Sequence, residues 1–397
     1  MNIRTITKDV FYVGASDRRI NLFENIYPLQ NGISYNSYLI RDKKNALIDT
    51  VDESVSSVFF QNLEAALGGE KLDYIIVNHM EPDHAATLER TFKLYPEAKI
   101  VGTAKTKGMF QRFFSTDIED SFIIVKDCDT LEIGEHTFQF FTAPMVHWPE
   151  VMVTYEIKDK ILFSADAFGS FGALCGLFSD EVDFANEELG EARRYYFNIV
   201  GKYGNQVMAL LSKASKLEIN LLCPLHGYVW RSNIGYFVEK YKCWGSYLPE
   251  EKGVVIVYGS IYGNTATAAD ILAKLLREEG VSKVKVYDSS KTDVSILLSE
   301  AFKYSHIVFA SATYNNGIFT KMENFLTDLK AHAFQNRYAA IIENGSWAPA
   351  SGRLMAELIA SMKNISVIAP CISIESAVKC AQIEKLGELA KEIAKTL

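Results

Sequence analysis

The chain has 397 residues and a net charge of −8, with 48% hydrophobic and 23% charged residues. This length predicts two domains, and the composition is that of a soluble globular protein. The acidic balance, without runs of Lys and Arg, argues against nucleic-acid binding. No secretory leader or bilayer-spanning apolar stretch is evident, so we expect a cytoplasmic protein with no membrane partner.

The six cysteines are scattered along the chain and form no Cys-x-x-Cys pair. We therefore expect reduced, mostly buried thiols rather than a thiolate cluster for zinc, rubredoxin-type iron or an iron–sulfur centre. They are Cys128, Cys175, Cys223, Cys243, Cys371 and Cys380.

The first part of the chain alternates short strands with helices. Runs rich in β-branched and aromatic residues predict the strands, which lie at 34–40, 45–48, 74–77, 122–125, 137–141, 151–157 and 160–163. Helices are expected at 53–67 and 106–113. The pattern breaks at 244–253, so we expect one domain over residues 1–250 and a second over 251–397.

A dense group of potential metal ligands directly follows the predicted strand 74–77. The group contains His79, Glu81, Asp83 and His84. Two imidazoles and two carboxylates suit divalent transition metals better than calcium or magnesium. We expect that this span cannot form a regular helix through Pro82. In an extended segment His79, Glu81 and Asp83 would then point to the same side.

Further ligand candidates lie far along the chain, again in loops that follow strands. They are His147, Asp166 and His226. A lone histidine is more often an ordinary hydrogen-bonding side chain than a ligand, and we interpret the remaining histidines in that way. Those remaining histidines are His136, His306 and His332. The four candidate histidines lie beside Pro, Gly or acidic residues, and together with the carboxylates they predict a two-metal site.

The second part of the chain shows a regular β-α alternation. Strands are predicted at 254–258, 283–287, 306–310, 338–343 and 366–372. In the first helix, apolar residues from Ala268 to Leu276 repeat at helical spacing, and Gly280 stands at the expected C-terminal cap. The alternation predicts a doubly wound, five-stranded parallel sheet with its ligand at the carboxyl edge.

Three loops at that edge carry the residue types that a flat, phosphate-bearing cofactor requires. The first, 260–265, offers hydroxyls and backbone amides at a helix N-terminus, which bind phosphate without a lysine. It lacks the P-loop and GxGxxG patterns, so ATP and NAD are weak candidates. The loops 311–319 and 343–352 each add an aromatic side chain, Tyr314 and Trp347. We expect FMN as the cofactor.

Residues 253–397 resemble flavodoxin. This resemblance implies that the first loop holds the FMN phosphate through Ser260, Tyr262, Gly263, Asn264 and Thr265. It also implies that two other loops contact the isoalloxazine. Those contacts are Thr313, Tyr314, Asn315, Asn316, Gly317, Gly345, Ser346 and Trp347.

The first domain resembles the metallo-β-lactamase fold, an αββα sandwich whose dinuclear hydrolases carry His-x-His-x-Asp-His followed by separate His, Asp and His ligands. Here Glu81 replaces the second histidine. The added carboxylate favours iron over zinc, and zinc has no redox chemistry to use beside a flavin. The two halves together resemble the flavodiiron proteins, which reduce oxygen or nitric oxide.

The flavodiiron resemblance implies a role for each ligand candidate. His79, Glu81 and His147 would bind one iron, Asp83 and His226 the other, and Asp166 would bridge the pair. Two roles stay open. His84 is a ligand in some members of the family and turned away in others. Tyr195 or Tyr196 either hydrogen-bonds a bound intermediate or simply packs.

By the same resemblance, FMN would pass electrons to two non-haem irons that reduce oxygen to water or nitric oxide to nitrous oxide. A separate donor, such as rubredoxin or a reduced flavoprotein, would supply the electrons to a head-to-tail homodimer or dimer of dimers. The alternatives are a dizinc hydrolase with a fused flavodoxin domain and a non-enzymatic electron carrier. The preference between oxygen and NO stays open, with residues 23–25 and Trp148 as candidate determinants.

Overall fold

The computed structural model describes residues 3–397, which form two compact units. The first unit ends at Lys242 and the second begins at Cys243.

The first unit contains sixteen strands, most of them short. They are β1 Arg4–Thr5, β2 Val10–Tyr12, β3 Ala15–Asp17, β4 Leu22–Phe23, β5 Tyr27–Pro28, β6 Ile33–Tyr35, β7 Tyr38–Ile40, β8 Ala46–Ile48, β9 Tyr74–Ile76, β10 Lys99–Gly102, β11 Phe122–Ile124, β12 Thr130–Glu132, β13 Thr137–Thr142, β14 Met152–Glu156, β15 Ile161–Phe163 and β16 Leu221–Cys223.

Helices of this part of the chain connect the strands. They are α1 Ser56–Leu67, α2 Pro82–Ala85, α3 Leu88–Leu94, α4 Ala104–Phe113, α5 Leu189–Tyr195, α6 Gly204–Ala214 and α7 Ile234–Gly245. Single turns of 3-10 helix occupy Glu53–Val55, Glu119–Ser121, Ser179–Glu181 and Gly201–Tyr203, and π-helical turns occupy Phe184–Glu188 and Tyr196–Val200.

Two sheets pack face to face in the first unit. One has the order β1-β2-β7-β8-β9-β10-β11, and the other has the order β12-β13-β14-β15-β16. Their facing side chains form one apolar core, which includes Ile48 and Ile76 from the first sheet and Phe140 and Phe163 from the second. Burial of both inner faces stabilises the sandwich, and the predicted αββα fold is confirmed.

The predicted strand 34–40 is two strands in the structure. β6 pairs with β3, whereas β7 joins the first large sheet between β2 and β8. Asn36 separates them, because its backbone and side chain bond to the segment 224–227 rather than to a neighbouring strand. The break between β6 and β7 therefore allows Asn36 to hydrogen-bond with the segment 224–227.

The second unit alternates strands and helices as expected. Its elements are β17 Glu251–Gly259, α8 Asn264–Glu278, β18 Val284–Asp288, α9 Val294–Lys303, β19 Tyr304–Tyr314, β20 Gly317–Ile318, α10 Thr320–Ala331, β21 Gln335–Asn344, α11 Ser351–Ala360, β22 Lys363–Val367, β23 Ile372–Ile374 and α12 Cys380–Thr396.

The main sheet of this unit has the order β18-β17-β19-β21-β22, and all four pairings are parallel. The predicted doubly wound sheet is confirmed, and Gly280 follows α8 with a φ of +88°. The predicted strand 366–372 is wrong as a single element. It divides into β22 and β23 because Pro370 lies between them and cannot donate a ladder hydrogen bond.

Residues 243–250, which the sequence pattern assigns to the first domain, pack within the second unit. The Trp244 indole donates to Glu250, and the buried Arg337 guanidinium donates to the Tyr247 carbonyl over 2.6 Å. The backbone amide of Glu250 bonds to Lys303. These contacts place the boundary several residues earlier than the Gly and Pro signals suggested.

The expectation of mostly buried cysteines is wrong. Within the described part of the chain all six are free thiols, and only Cys223 is buried, while Cys243 is half-buried and the other four are exposed. None of the helices within residues 3–397 combines the length and the apolar character that crossing a bilayer requires.

Candidate metal centre and flavin site

The seven predicted ligands come from four loops that follow strands of the first unit. His79 to His84 follow β9, His147 follows β13, Asp166 follows β15 and His226 follows β16. The rigid strand ends aim side chains far apart in sequence at one place. The structure brings all seven together in two adjacent groups.

The first group contains His79, Glu81, His147 and Asp166. Nε2 of His147 lies 2.9 Å from Oε2 of Glu81 and 3.1 Å from Oδ2 of Asp166. Nε2 of His79 lies 3.1 Å from Oε2 of Glu81. Two imidazoles and two carboxylates therefore converge on one point.

The second group contains Asp83, His84 and His226. Nε2 of His226 lies 3.0 Å from Oδ2 of Asp83, and Nε2 of His84 lies 3.3 Å from the same oxygen. His84, whose role the sequence left open, is fully buried and faces this group.

Asp166 lies between the two groups. Its Oδ2 is the oxygen that faces His147, whereas its Oδ1 lies 3.1 Å from Nε2 of His84 and 3.9 Å from Nε2 of His226. One carboxylate with an oxygen directed at each group has the geometry of a bridging ligand.

As predicted, no regular helix runs through Pro82 from the residues before it. α2 begins at Pro82, because the first helical position needs no backbone N–H donor. Glu81 is still extended, with φ −60° and ψ 140°, and faces the first group. Asp83 lies inside the helical turn and faces the second group. The predicted extended conformation therefore ends at Glu81. His79, Glu81 and Asp83 face the same cluster of ligand candidates but are divided between its two groups.

The carboxylates control the protonation of the imidazoles. Burial alone would lower the pKa of His147, but hydrogen bonds to Asp166 and Glu81 outweigh it and raise that pKa to about 9. Burial would raise the pKa of Glu81, but His147 and His79 lower it to about 2. In the metal-free protein, protons therefore offset the charge of the buried carboxylates.

The residues fit a pair of metal ions. Several buried ligand atoms accept or donate no hydrogen bond within residues 3–397, namely Oδ1 of Asp83, Nε2 of His84, Oδ1 of Asp166 and Nε2 of His226. They lie close together without hydrogen-bond alignment, although an unpaired buried polar group is costly. A cation at each group would satisfy them, and mixed imidazole and carboxylate donors suit iron.

Residues that the sequence analysis missed orient the ligands from behind. Nδ1 of His79 lies 2.7 Å from Oε1 of the buried Glu150, and Nδ1 of His226 lies 2.6 Å from the Ser34 carbonyl. Asp49 accepts the backbone amide of His79 over 3.2 Å. Such partners fix the tautomer and direction of a ligating imidazole. Glu150 and Asp49 are acidic residues beside strand ends, a signal that could have found them.

Asn36 holds the loop that carries His226. Its side-chain amide donates to the carbonyls of Pro224 and Gly227, each over 2.9 Å. These two carbonyls flank His226 on either side. The break between β6 and β7 therefore positions a candidate ligand.

The structure separates the two candidate tyrosines. The Tyr195 ring lies 5.4 Å from the His226 ring, and its buried hydroxyl has no hydrogen-bond partner among the described residues. The Tyr196 ring instead packs against Phe197 and Tyr241. Tyr195 is therefore the candidate tyrosine whose ring packs against a predicted metal ligand.

A cavity of about 700 Å³ reaches Glu81 and Asp83 from the surface. The turn of the β4–β5 hairpin lines it with Phe23, Glu24 and Asn25, three of the candidate selectivity positions. The remaining candidate, Trp148, does not line this cavity and instead packs its ring 5.4 Å from the His79 ring.

A second cavity, of about 430 Å³, lies at the carboxyl edge of the sheet in the second unit. Most of the predicted FMN residues line it, namely Ser260, Tyr262, Asn264, Thr265, Thr313, Asn315, Asn316, Gly345, Ser346 and Trp347. Gly263, Tyr314 and Gly317 do not line it. Gly263 instead caps α8 with a φ of +95°, which a residue with a side chain rarely adopts.

The loops around this cavity are tied to one another. The Thr313 hydroxyl accepts the Ala350 amide over 3.0 Å, so it is committed to joining two loops. Ser376, which the sequence analysis missed, lines the cavity, and its hydroxyl lies 2.6 Å from that of Ser346. The side chains of Trp347 and Tyr262 are 82% and 93% exposed at the cavity, as a stacking platform for a flat ring requires. The site fits FMN.

Metal binding should release protons. Because the pKa of His147 is about 9 in the metal-free protein, its ring is protonated at pH 7 and must lose that proton to bind a metal. We expect Fe(II) affinity to increase between pH 6.5 and 9, with proton release detected by calorimetry in buffers of different ionisation enthalpy. The stability of the metal-free protein should change in the opposite direction and decrease as the pH rises. The contribution of His147 to the free energy of unfolding is complete below the unfolded pKa of 6.5 and is lost as the pH rises through 9. Equal heats in all buffers would contradict this prediction.

Residues 33–227 match the family model of an ODP family beta lactamase, and residues 256–348 match that of flavodoxin. The anaerobic nitric oxide reductase flavorubredoxin of Salmonella arizonae is 33% identical over 348 residues, which cover 86% of this chain and 72% of that protein.

Solved structures are similar over the whole chain. The rubredoxin oxygen:oxidoreductase of Desulfovibrio gigas has a TM-score of 0.94 and 28% identity, covering 100% of this chain and 98% of that one. The flavodiiron protein of Giardia intestinalis has a TM-score of 0.94 and 26% identity, covering 100% and 96%. The family resemblance predicted from the motifs is confirmed, and this chain belongs to the flavodiiron proteins.

Proposed function

We propose that this chain is an FMN-dependent diiron reductase that reduces oxygen to water, nitric oxide to nitrous oxide, or both. The observation that carries this function is Asp166, which directs one oxygen at each of two groups of imidazoles and carboxylates, with 3.1 Å between Oδ1 and Nε2 of His84 and 3.1 Å between Oδ2 and Nε2 of His147. The relatives carry both activities in their names, one as a nitric oxide reductase and one as an oxygen oxidoreductase.

Each ligand then has a proposed role. His79, Glu81 and His147 bind the first iron, Asp83, His84 and His226 bind the second, and Asp166 bridges them. Bound iron supplies one-electron redox chemistry and a place for the diatomic substrate, and bound FMN supplies the electrons. The dizinc hydrolase alternative is not favoured, because zinc has no use for electrons from a flavin and the relatives are redox enzymes.

The protein contributes shape and hydrogen bonding around the iron pair. Phe23 and Tyr35 pack their rings 5.5 and 5.8 Å from the His226 ring and limit water at the second position. The Tyr195 hydroxyl has no hydrogen-bond partner within residues 3–397 and can donate to an oxygen atom of the substrate. A donor held ready in a buried site stabilises charge that develops during reduction.

Tyr195→Phe should therefore lower turnover about ten- to hundredfold while iron and FMN contents stay unchanged. The measurement is steady-state reduction of oxygen and of NO by protein of known cofactor content. Tyr196→Phe is the matched control, because the Tyr196 ring packs against Phe197 and Tyr241, and it should retain nearly full activity. Equal losses in both variants would show that the two tyrosines act only by packing.

We propose a separate electron donor, such as rubredoxin or a reduced flavoprotein, because one structural relative is named a rubredoxin oxygen:oxidoreductase. We also propose a cytoplasmic location and a head-to-tail homodimer or dimer of dimers, in which the FMN of one subunit serves the irons of the other. The exposed Trp347 and Tyr262 side chains beside the flavin cavity support a covering partner surface.

The head-to-tail arrangement predicts complementation between two inactive variants. Asp166→Ala removes the bridging carboxylate, and Asn264→Glu places a negative charge at the proposed phosphate site. After dissociation and reassociation of equal amounts, half of the dimers are mixed and each holds one working pair, so about one quarter of the wild-type activity should return. If electrons pass within one chain, mixing restores nothing.

The proposed function itself is tested by anaerobic reduction of protein with measured iron and FMN contents, followed by separate exposure to oxygen and to NO. We expect repeated reoxidation of the flavin, with water or nitrous oxide as the product. Protein that holds two zinc ions and hydrolyses esters, or iron-loaded protein whose flavin is reoxidised by neither gas, would overturn the proposal.

A further inference from the structure

We propose that Glu150 makes the two metal positions unequal. The position formed by His79, Glu81 and His147 binds its metal more tightly, and favours the higher oxidation state more strongly, than the position formed by Asp83, His84 and His226. This inference rests on the proposed function, because it concerns the same pair of irons.

Glu150 acts on the metal position through His79. Its Oε1 lies 2.7 Å from Nδ1 of His79, and both side chains are fully buried. Nδ1 of His79 therefore carries the proton and leaves Nε2 free for the metal. A carboxylate partner draws this proton away and makes the imidazole a stronger electron donor.

The negative charge of Glu150 is only partly offset by other groups. The Met80 amide donates to the same Oε1 over 2.9 Å, and Oε2 accepts no hydrogen bond within residues 3–397. In a buried environment charge is poorly screened, so this carboxylate strongly affects its partner.

In the second position, the described residues place no carboxylate within hydrogen-bonding distance of the Nδ1 atom of a ligand. His226 directs Nδ1 at the Ser34 carbonyl, which is neutral, over 2.6 Å. Nδ1 of His84 is buried and has no hydrogen-bond partner in the described chain. Within the described residues, neither imidazole of this position is hydrogen-bonded at Nδ1 to a carboxylate. The buried Asp49 carboxylate interacts with His84 only through space, and its own hydrogen bonds go to the Asn78 and His79 amides.

The count of carboxylates gives the direction of the difference. Each position has one carboxylate of its own, Glu81 or Asp83, and shares Asp166. Among the described residues, the first position alone adds a carboxylate, Glu150, that is hydrogen-bonded to the ring of a ligand. The larger negative charge favours the more highly charged ion at that position.

One loop contributes to two ligands of the first position, because it contains His147 and also Glu150, which contacts His79. The loop between β13 and β14 carries His147 itself and, three residues later, the partner of His79. It is closed by backbone bonds from Ala143 to Val151 (2.8 Å) and from Met145 to Trp148 (2.7 Å). Glu150 is therefore a positioning residue for the iron site.

Glu150→Gln tests the charge, because it keeps the shape and an oxygen acceptor. Glu150→Ala removes the acceptor as well. Glu156→Gln is the matched control, because Glu156 is a fully buried glutamate whose Oε1 lies 3.0 Å from Nδ1 of the buried His136, away from the ligands.

Fe(II) affinities of the metal-free protein are measured anaerobically by competition with a chelator. In Glu150→Ala one of the two binding steps should weaken about ten- to hundredfold, with Glu150→Gln in between and Glu156→Gln unchanged. On protein loaded with ⁵⁷Fe, one of the two Mössbauer doublets should change in Glu150→Gln. The reduction potential of the iron should rise while that of FMN stays constant.

Equal weakening of both steps, an unchanged Glu150→Gln variant, or the same effect from Glu156→Gln would overturn the inference. If Glu150→Ala fails to fold, Glu150→Gln alone decides it. Affinity and spectra are measured without turnover. If the wild type reduces oxygen or NO but the Glu150 variants keep wild-type Fe(II) affinities and spectra, this inference alone is refuted. If the wild type itself reduces neither gas, the proposed function is refuted.

Discussion

The carboxylate of Asp166 is the interaction on which the site depends. It is almost fully buried and directs one oxygen at each of two groups of ligands. A buried carboxylate is stable only where cations or donors surround it, and here the nearby imidazoles hold its pKa well below the usual range despite burial. Metal ions that replace the imidazole protons would keep this charge balance, so the same geometry serves the metal-free and metal-loaded protein.

The sandwich explains how such a group of charges can form. The ligands leave the ends of β9, β13, β15 and β16, which belong to both sheets, so the apolar core fixes their positions before any metal binds. Pro82 adds a local step, since it starts a helical turn that separates Glu81 from Asp83. Two residues of one short motif thereby face two different groups of ligand candidates.

The sequence predicted the elements whose signal is local, and it missed contacts between distant residues. The regular alternation of strands and helices predicted the parallel sheet of the second unit. The His, Asp and Glu residues that follow strands predicted all seven members of the two ligand groups. Glu150 and Ser34 could not be assigned in this way, because they meet His79 and His226 across 71 and 192 residues. The same limit applies to the strand break at Asn36, which satisfies a contact with the segment 224–227.

The two cavities differ in charge in a way that suits their contents. The described residues that line the flavin cavity include no charged side chain, so amides and hydroxyls must hold the phosphate.

The metal cavity is acidic, and its carboxylates are Asp17, Glu24, Asp52, Glu81 and Asp83. Desolvation and the neighbouring Glu81 raise the pKa of Glu24 to about 8, and bound cations would favour its ionised form. Such a lining repels anions but has little effect on neutral molecules. Oxygen, NO and nitrous oxide are all neutral, and the charge of the cavity therefore agrees with the reduction of small gases.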